Sequence, residues 1–222
     1  MTRKSDSILE KDFEKNGPTS LGLNTNYMWN NDPKKLFISM ARYKFVSRMI
    51  NGKKNILEVG GEPFRSRIVK QTVKNLTVIT KEKFTFDEGK KGGKNKFKIN
   101  FILENPVKKK LNFKNKFDAI YCLDFINKLS KKENIFFLNN ILHNLDKKGI
   151  FLLGTPSKES SNHASDISKI VNKNLYSSND LKKLLKKYFG NVFIFSMNDE
   201  VVHTGYSKMA HYLIALCANK IK

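Results

Sequence analysis

From Leu36 onward the chain places an apolar residue every three or four positions, at Leu36, Phe37, Met40, Tyr43 (or Phe45), Val46 and Met49. That spacing lays one apolar stripe along a helix. Asn30-Asn31-Asp32-Pro33 supplies its start, a capping side chain followed by Pro at the first helical position, and Gly52 its end. Between Asn55 and Val59 the pattern changes to a short apolar run, which predicts a strand broken by Gly60-Gly61. A helical stretch with Ile68, Val69 and Val73 follows, then a second strand from Leu76 to Thr80. Lys81 to Lys96 has little apolar period and reads as a mobile loop with at most a short helix.

Phe97 to Leu103 predicts a third strand. Phe117 to Leu123 predicts a fourth, and because it alternates little it should be buried on both faces. Lys132 to Leu145 has helical spacing, and Ile150 to Leu153 is a fifth strand stopped by Gly154-Thr155-Pro156. After a polar connection from Ser157 to Ser178, Asp180 to Phe189 predicts a helix with Leu181, Leu184, Leu185 and Tyr188 on one face. Two last strands, Val192 to Met197 and Tyr212 to Ala218, flank Asn198 to His211.

Strands alternating with helices predict an α/β class. The expected fold is a doubly wound, mostly parallel, seven-stranded sheet with a C-terminal antiparallel hairpin at one edge. Residues 1–26 read as a partly flexible N-terminal extension and residues 27–222 as a single domain.

Composition bounds this picture. A chain of 222 residues with 40% hydrophobic positions can bury a full core, which excludes disorder of the whole chain. No apolar stretch approaches the roughly 20 residues of a bilayer span. Residues 1–16 have no apolar signal core, so a cytoplasmic location is expected. Cys122 and Cys217 each sit inside an apolar run and read as core residues in a reducing compartment.

The formal charge of +22 points first to nucleic acid. However, 37 of the 42 basic residues are lysine and only five are arginine, the side chain of bidentate phosphate and base recognition. The lysine runs Lys90 to Lys98 and Lys108 to Lys110 lack the interleaved aromatics of an RNA-binding motif. A solvated basic surface is the first reading, an anionic small substrate the second, and nucleic acid a disfavoured third. No His, Cys or carboxylate pair has tight metal-ligand spacing, so no metal site is expected.

Three segments carry a resemblance: ILEVGGEPF (Ile56 to Phe64), FDAIYCLDFINKLS (Phe117 to Ser130) and LDKKGIFLLGTP (Leu145 to Pro156). In their order of elements they resemble the class I methyltransferases that use S-adenosylmethionine. The helix NDPKKLFISMARYKFV (Asn31 to Val46) and the tail FSMNDEVVHTGYSKMAHYL (Phe195 to Leu213) are similar to a group of small bacterial methyltransferase-like proteins. The resemblance implies S-adenosylmethionine as cofactor, held by Glu58, Gly60, Gly61, Glu82 and Asp124.

The chain departs from the family pattern at four places. Glu62 and Phe64 stand at the later glycines of the first turn, and Thr80 stands where an acidic residue holds the ribose hydroxyls. Phe101 replaces the Asp that faces the adenine amine, and Asn127-Lys128 replaces Glu-His after the fourth strand.

His203 is the preferred catalytic base and His211 the second, on the connection that also holds Asp199, Glu200 and Tyr206. Trp29 and Tyr27 stand where they could cover the ligand mouth or serve as a core edge. The leading function is methyl transfer to a small acceptor such as a sugar nucleotide or glycan precursor. The alternative is an inactive relative whose pocket is plugged by Phe64 and Phe101 and which acts as a binding or scaffolding partner. An RNA methyltransferase comes third. The sequence leaves the acceptor and the oligomeric state open.

Overall fold

A computed structural model of the chain describes residues 2–18, 21–91, 97–161 and 166–221. Helix α3 (Pro33–Met49) starts as its sequence dictates, with the Asp32 carboxylate accepting from the Lys35 N–H and Pro33 in the first turn. Its buried stripe is Leu36, Ser39, Tyr43, Val46 and Ser47. Phe37 and Met49, expected on that stripe, face outward; Phe37 is 62% exposed. The stripe steps by three and four residues from Leu36 through Ser39, so two serines take places that hydrophobicity assigns to neighbours.

Strands β1 (Asn55–Val59), β2 (Asn75–Thr80), β3 (Asn100–Leu103), β4 (Phe117–Leu123) and β5 (Leu145–Pro156) are parallel. Helix α4 (Pro63–Lys70) joins β1 to β2, α5 (Lys83–Lys91) joins β2 to β3, and α6 (Lys131–Leu142) joins β4 to β5. The sheet order is β3-β2-β1-β4-β5-β8-β6-β7, with β8 (Tyr212–Lys220) antiparallel to both β5 and β6 (Phe189–Asn198). The sheet has eight strands rather than the expected seven. The extra one, β7 (Val201–His203), folds back on the end of β6 across the turn at Asp199-Glu200, inside a segment read as a plain connection.

The helices differ from expectation at their ends. Helix α6 stops at Leu142 because the Asn144 side chain turns to the loop before β4, accepting from Phe113 N–H and donating to Leu111 C=O, and Leu145 then opens β5. Helix α8 (Ser178–Leu185) is likewise shorter, since Phe189 opens β6. The loop expected at Lys81 to Lys96 holds α5, its remainder 92–96 lying outside the described residues. The connection after β5 holds α7 (Asp166–Val171), with residues 162–165 outside the described residues.

Two helices precede α3: α1 (Thr2–Asn16) and α2 (Leu23–Asn31), the second running through the boundary expected at residue 26. One core fills the space between α6, α8 and the sheet around Phe137, Leu138, Phe151, Phe189 and Leu213. A second fills the space beneath α3 and α4 around Val46, Ile56, Val69, Tyr121 and Leu152. Strand β4 is buried on both faces, as its weak alternation predicts, and β1 is buried likewise from Ile56 to Val59. Among the described residues no helix is long and apolar enough to cross a membrane.

Candidate functional site

In open α/β sheets, ligands sit outside the carboxyl ends of the strands, at the switch in strand order. Here β1 lies between β2 and β4, and a cavity of about 340 Å³ opens beyond the ends of these strands. Its wall runs from Gly60-Gly61 after β1, through Thr80 at the end of β2, Glu82 beyond it and Asn105 after β3, to Asp124-Phe125 after β4.

Each wall segment is fixed by a local cause. Gly60 has φ 79°, the left-handed region, and a Cβ there would stand 2.9 Å from the Phe125 ring, so the turn requires glycine. A Cβ on Gly61 would collide with the Glu58 carboxyl beneath it. The β3–β4 loop is held by Asn140 of α6, which donates to Pro106 C=O and Lys109 C=O and accepts from Leu111 N–H. Asp124 takes φ 55°, costly for a non-glycine residue, while its N–H donates to Gly154 C=O on β5.

Four anionic side chains (Glu62, Glu82, Asp124, Glu133) and four cationic ones (Arg65, Lys81, Lys108, Lys128) line this cavity. Arg65 donates from Nε to Glu62 at 2.6 Å and from Nη1 to the Ser39 hydroxyl. Arg42, behind the wall, donates to Asp124. Glu82 stands at the mouth, its side chain 66% exposed, 3.7 Å from Lys81 Nζ.

The residues expected to hold a cofactor divide accordingly. Gly60, Gly61, Glu82 and Asp124 line the cavity. Glu58 does not: it is buried under Gly61 and accepts from the Tyr121 hydroxyl at 2.6 Å. Burial pushes its carboxyl up to about 7, against the opposing effect of the Ser66, Tyr121 and Tyr43 hydroxyls.

His203 and His211 lie away from the cavity, at the β6–β7 edge. His203 Nδ1 accepts from Gly205 N–H, so Nε2 carries the proton and donates to Asn198 Oδ1 at 2.9 Å. Both ring nitrogens serve the hairpin, leaving no lone pair for a base. His211 is exposed, with Nδ1 4.0 Å from Asp199.

Phe64 and Phe101 do not plug the cavity, since neither lines it. Phe101 belongs to the core under α5, where Gly89 lies against its ring. Thr80 does line the cavity, its hydroxyl accepting from Glu82 N–H. Asn127 is turned away to bind the segment after α7, and Lys128 faces the cavity instead. Trp29 and Tyr27 point outward from α2, while Asn24 of that helix lines the cavity. Sequence reasoning missed Arg65, Tyr43, Asn105 and Phe125, which reach the cavity from a helix interior or a loop. Glu133, also missed, forms a capping box with Ser130, a signal readable in the sequence.

No known family profile and no curated protein matches the sequence. Solved structures do match the fold. The N-methyltransferase NodS from Bradyrhizobium japonicum, in complex with S-adenosyl-L-homocysteine, is 14% identical over 90% of this chain and 94% of its own, with a TM-score of 0.63. The methyltransferase domain of bacterial CtHen1-C is 14% identical over 82% of this chain and 98% of its own, with a TM-score of 0.66. An S-adenosylmethionine-dependent methyltransferase from Clostridium acetobutylicum is 13% identical over 96% and 98%, with a TM-score of 0.61. The sheet order of β1 to β6 and β8, the glycine turn after β1 and these likenesses agree: the chain has the fold of the class I S-adenosylmethionine-dependent methyltransferases.

Proposed function

We propose that the chain transfers a methyl group from S-adenosylmethionine to a small acceptor. The observation that carries this reading is the open cavity beyond β1, β2 and β4, walled by a turn without side chains at Gly60-Gly61 and bearing the exposed Glu82 carboxylate. When bound, the cofactor supplies an electrophilic methyl on a sulfonium. Glu82 would accept from the ribose hydroxyls, two positions after the usual acidic site. Gly60 and Gly61 would pass along the amino-acid portion, and Val107, Phe125 and Leu129 give apolar wall for the adenine. Asp124, held by Arg42, would be the wall carboxylate available to the cationic sulfonium end of the cofactor.

The cavity's balanced charge suits a zwitterionic cofactor with one extra positive charge better than it suits a polyanion. One solved structure of similar fold is a phosphoethanolamine N-methyltransferase, named for a small-molecule acceptor, which supports a small acceptor here. A plugged, inactive relative has no support from the placement of Phe64 and Phe101. Titration calorimetry with S-adenosylmethionine and S-adenosylhomocysteine tests the proposal, with binding expected in the micromolar range. No heat from either at millimolar ligand would reject it.

A further inference from the structure

Glu62 stands where the methyltransferase pattern has a glycine, and its side chain is turned to a specific use. Its Oε1 accepts from the Thr25 hydroxyl of α2 at 2.6 Å and from Arg65 Nε at 2.6 Å. Arg65 also reaches the Ser39 hydroxyl of α3 and lies over the Tyr43 ring, 5.4 Å from its centroid. Thr25 is completely buried and Glu62 7% exposed, so the hydrogen bond between them is shielded from water.

One residue before Asn24, the Leu23 N–H donates to Glu88 on α5 at 3.1 Å. Gly22 enters the helix at φ 81° with the Glu88 carboxylate 3.0 Å from where its Cβ would be, a site for glycine alone. The first turn of α2 therefore spans from the β1–α4 turn to α5, the two sides of the cavity, with Asn24 between them on the cavity wall.

We infer that Glu62, held by Arg65, is a latch that fastens the first turn of α2 against the cavity wall through Thr25, so that release of the Thr25–Glu62 bond widens the cavity mouth and speeds ligand entry and exit. The inference rests on the proposed use of the cavity for the cofactor. It gives the Glu62 departure from the glycine pattern a physical purpose: the carboxylate is turned sideways, satisfied by two partners, and fastens α2. Glu62 and Thr25 are thus positioning residues, acting through α2.

Two measurements on the full chain test this. Thr25→Val removes the donor while keeping the shape. A buried bond to a charged acceptor is strong enough that its loss should raise hydrogen exchange of the Leu23–Asn31 amides by about tenfold or more, with the sheet unchanged. Thr25→Ser should restore protection, and Glu62→Gln, which keeps an acceptor but loses the charge, should fall between. Unchanged exchange in α2 would overturn the latch.

The second measurement is stopped-flow mixing with S-adenosylhomocysteine, read by Trp29, the chain's single tryptophan, half exposed on α2. Widening the mouth speeds entry and exit together. Thr25→Val should therefore raise association and release rates each by about tenfold, with Kd changed by less than about threefold. A rise in release alone, or no change in either rate, would make Thr25 a mere contact or a bystander and overturn the latch. If the wild-type chain binds no S-adenosylhomocysteine, the cofactor reading fails, and the exchange result alone decides the latch.

Discussion

Arg42 donates from Nη1 to Oδ2 of Asp124 at 2.9 Å while its guanidinium lies 3.7 Å from the centroid of the Tyr212 ring. One side chain of α3 thereby joins the end of β4 to the start of β8 and holds Asp124 in its left-handed backbone. Arg42→Met would keep bulk over Tyr212 and leave the carboxylate without its cation. Both side chains are partly solvated, 19% and 31% exposed, so the expected loss is about 1–2 kcal/mol rather than that of a fully buried pair. Denaturant unfolding should show a lower midpoint with an unchanged slope. A variant as stable as the wild type would mean the pair is incidental.

Glu82→Gln tests the cofactor reading at its most exposed contact. Among the described residues the Glu82 side chain has only Lys81 as an ion-pair neighbour, so stability should stay within about 0.5 kcal/mol. Losing a charged acceptor for ribose hydroxyls should weaken S-adenosylhomocysteine by roughly 10- to 100-fold in calorimetry. Equal affinity would place the ribose elsewhere.

Glu58 makes stability depend on pH. The folded chain holds its proton more tightly than the unfolded chain does, with burial raising the carboxyl from 4.5 to about 7. Stability is thus fully retained below about 4.5 and falls as pH rises through about 7, by roughly 3 kcal/mol from this group. Glu58→Gln should flatten that fall. Urea unfolding at pH 5, 6, 7 and 8 gives the comparison, and parallel curves for the two proteins would contradict it.

His203→Ala should leave S-adenosylhomocysteine affinity within twofold, because the ring serves the Asn198–Gly205 turn. Two hydrogen bonds, one part-buried and one exposed, are lost, and Tm should fall by about 2–4 °C. A tenfold change in affinity would place the histidine at the site after all.

The fold was legible where the hydrophobic period was strong. Strand β4 matches its apolar run residue for residue, and α3 starts at the Asp-Pro cap. The eighth strand was hidden because β7 is three residues on an exposed hairpin, with no apolar run to mark it. The cavity wall was legible where the chain must turn tightly, at Gly60 and Gly61, or carries a carboxylate at a strand end, at Glu82 and Asp124. It was illegible where the partner is distant in sequence. Nothing local to Glu62 announces Thr25, 37 positions earlier, and nothing local to Phe101 announces that Gly89 absorbs its ring.

A cavity lined by equal numbers of opposite charges sits inside a chain of formal charge +22. Ionic strength therefore separates the two. Polyanions held by the outer lysines interact across distances comparable to the Debye length, about 8–10 Å near physiological ionic strength, and are stripped as that length shortens. The cavity's ion pairs, such as Arg65–Glu62 at 2.6 Å, lie well inside it. Washing the protein at high ionic strength should release adventitious nucleic acid and leave a cofactor carried in the cavity in place.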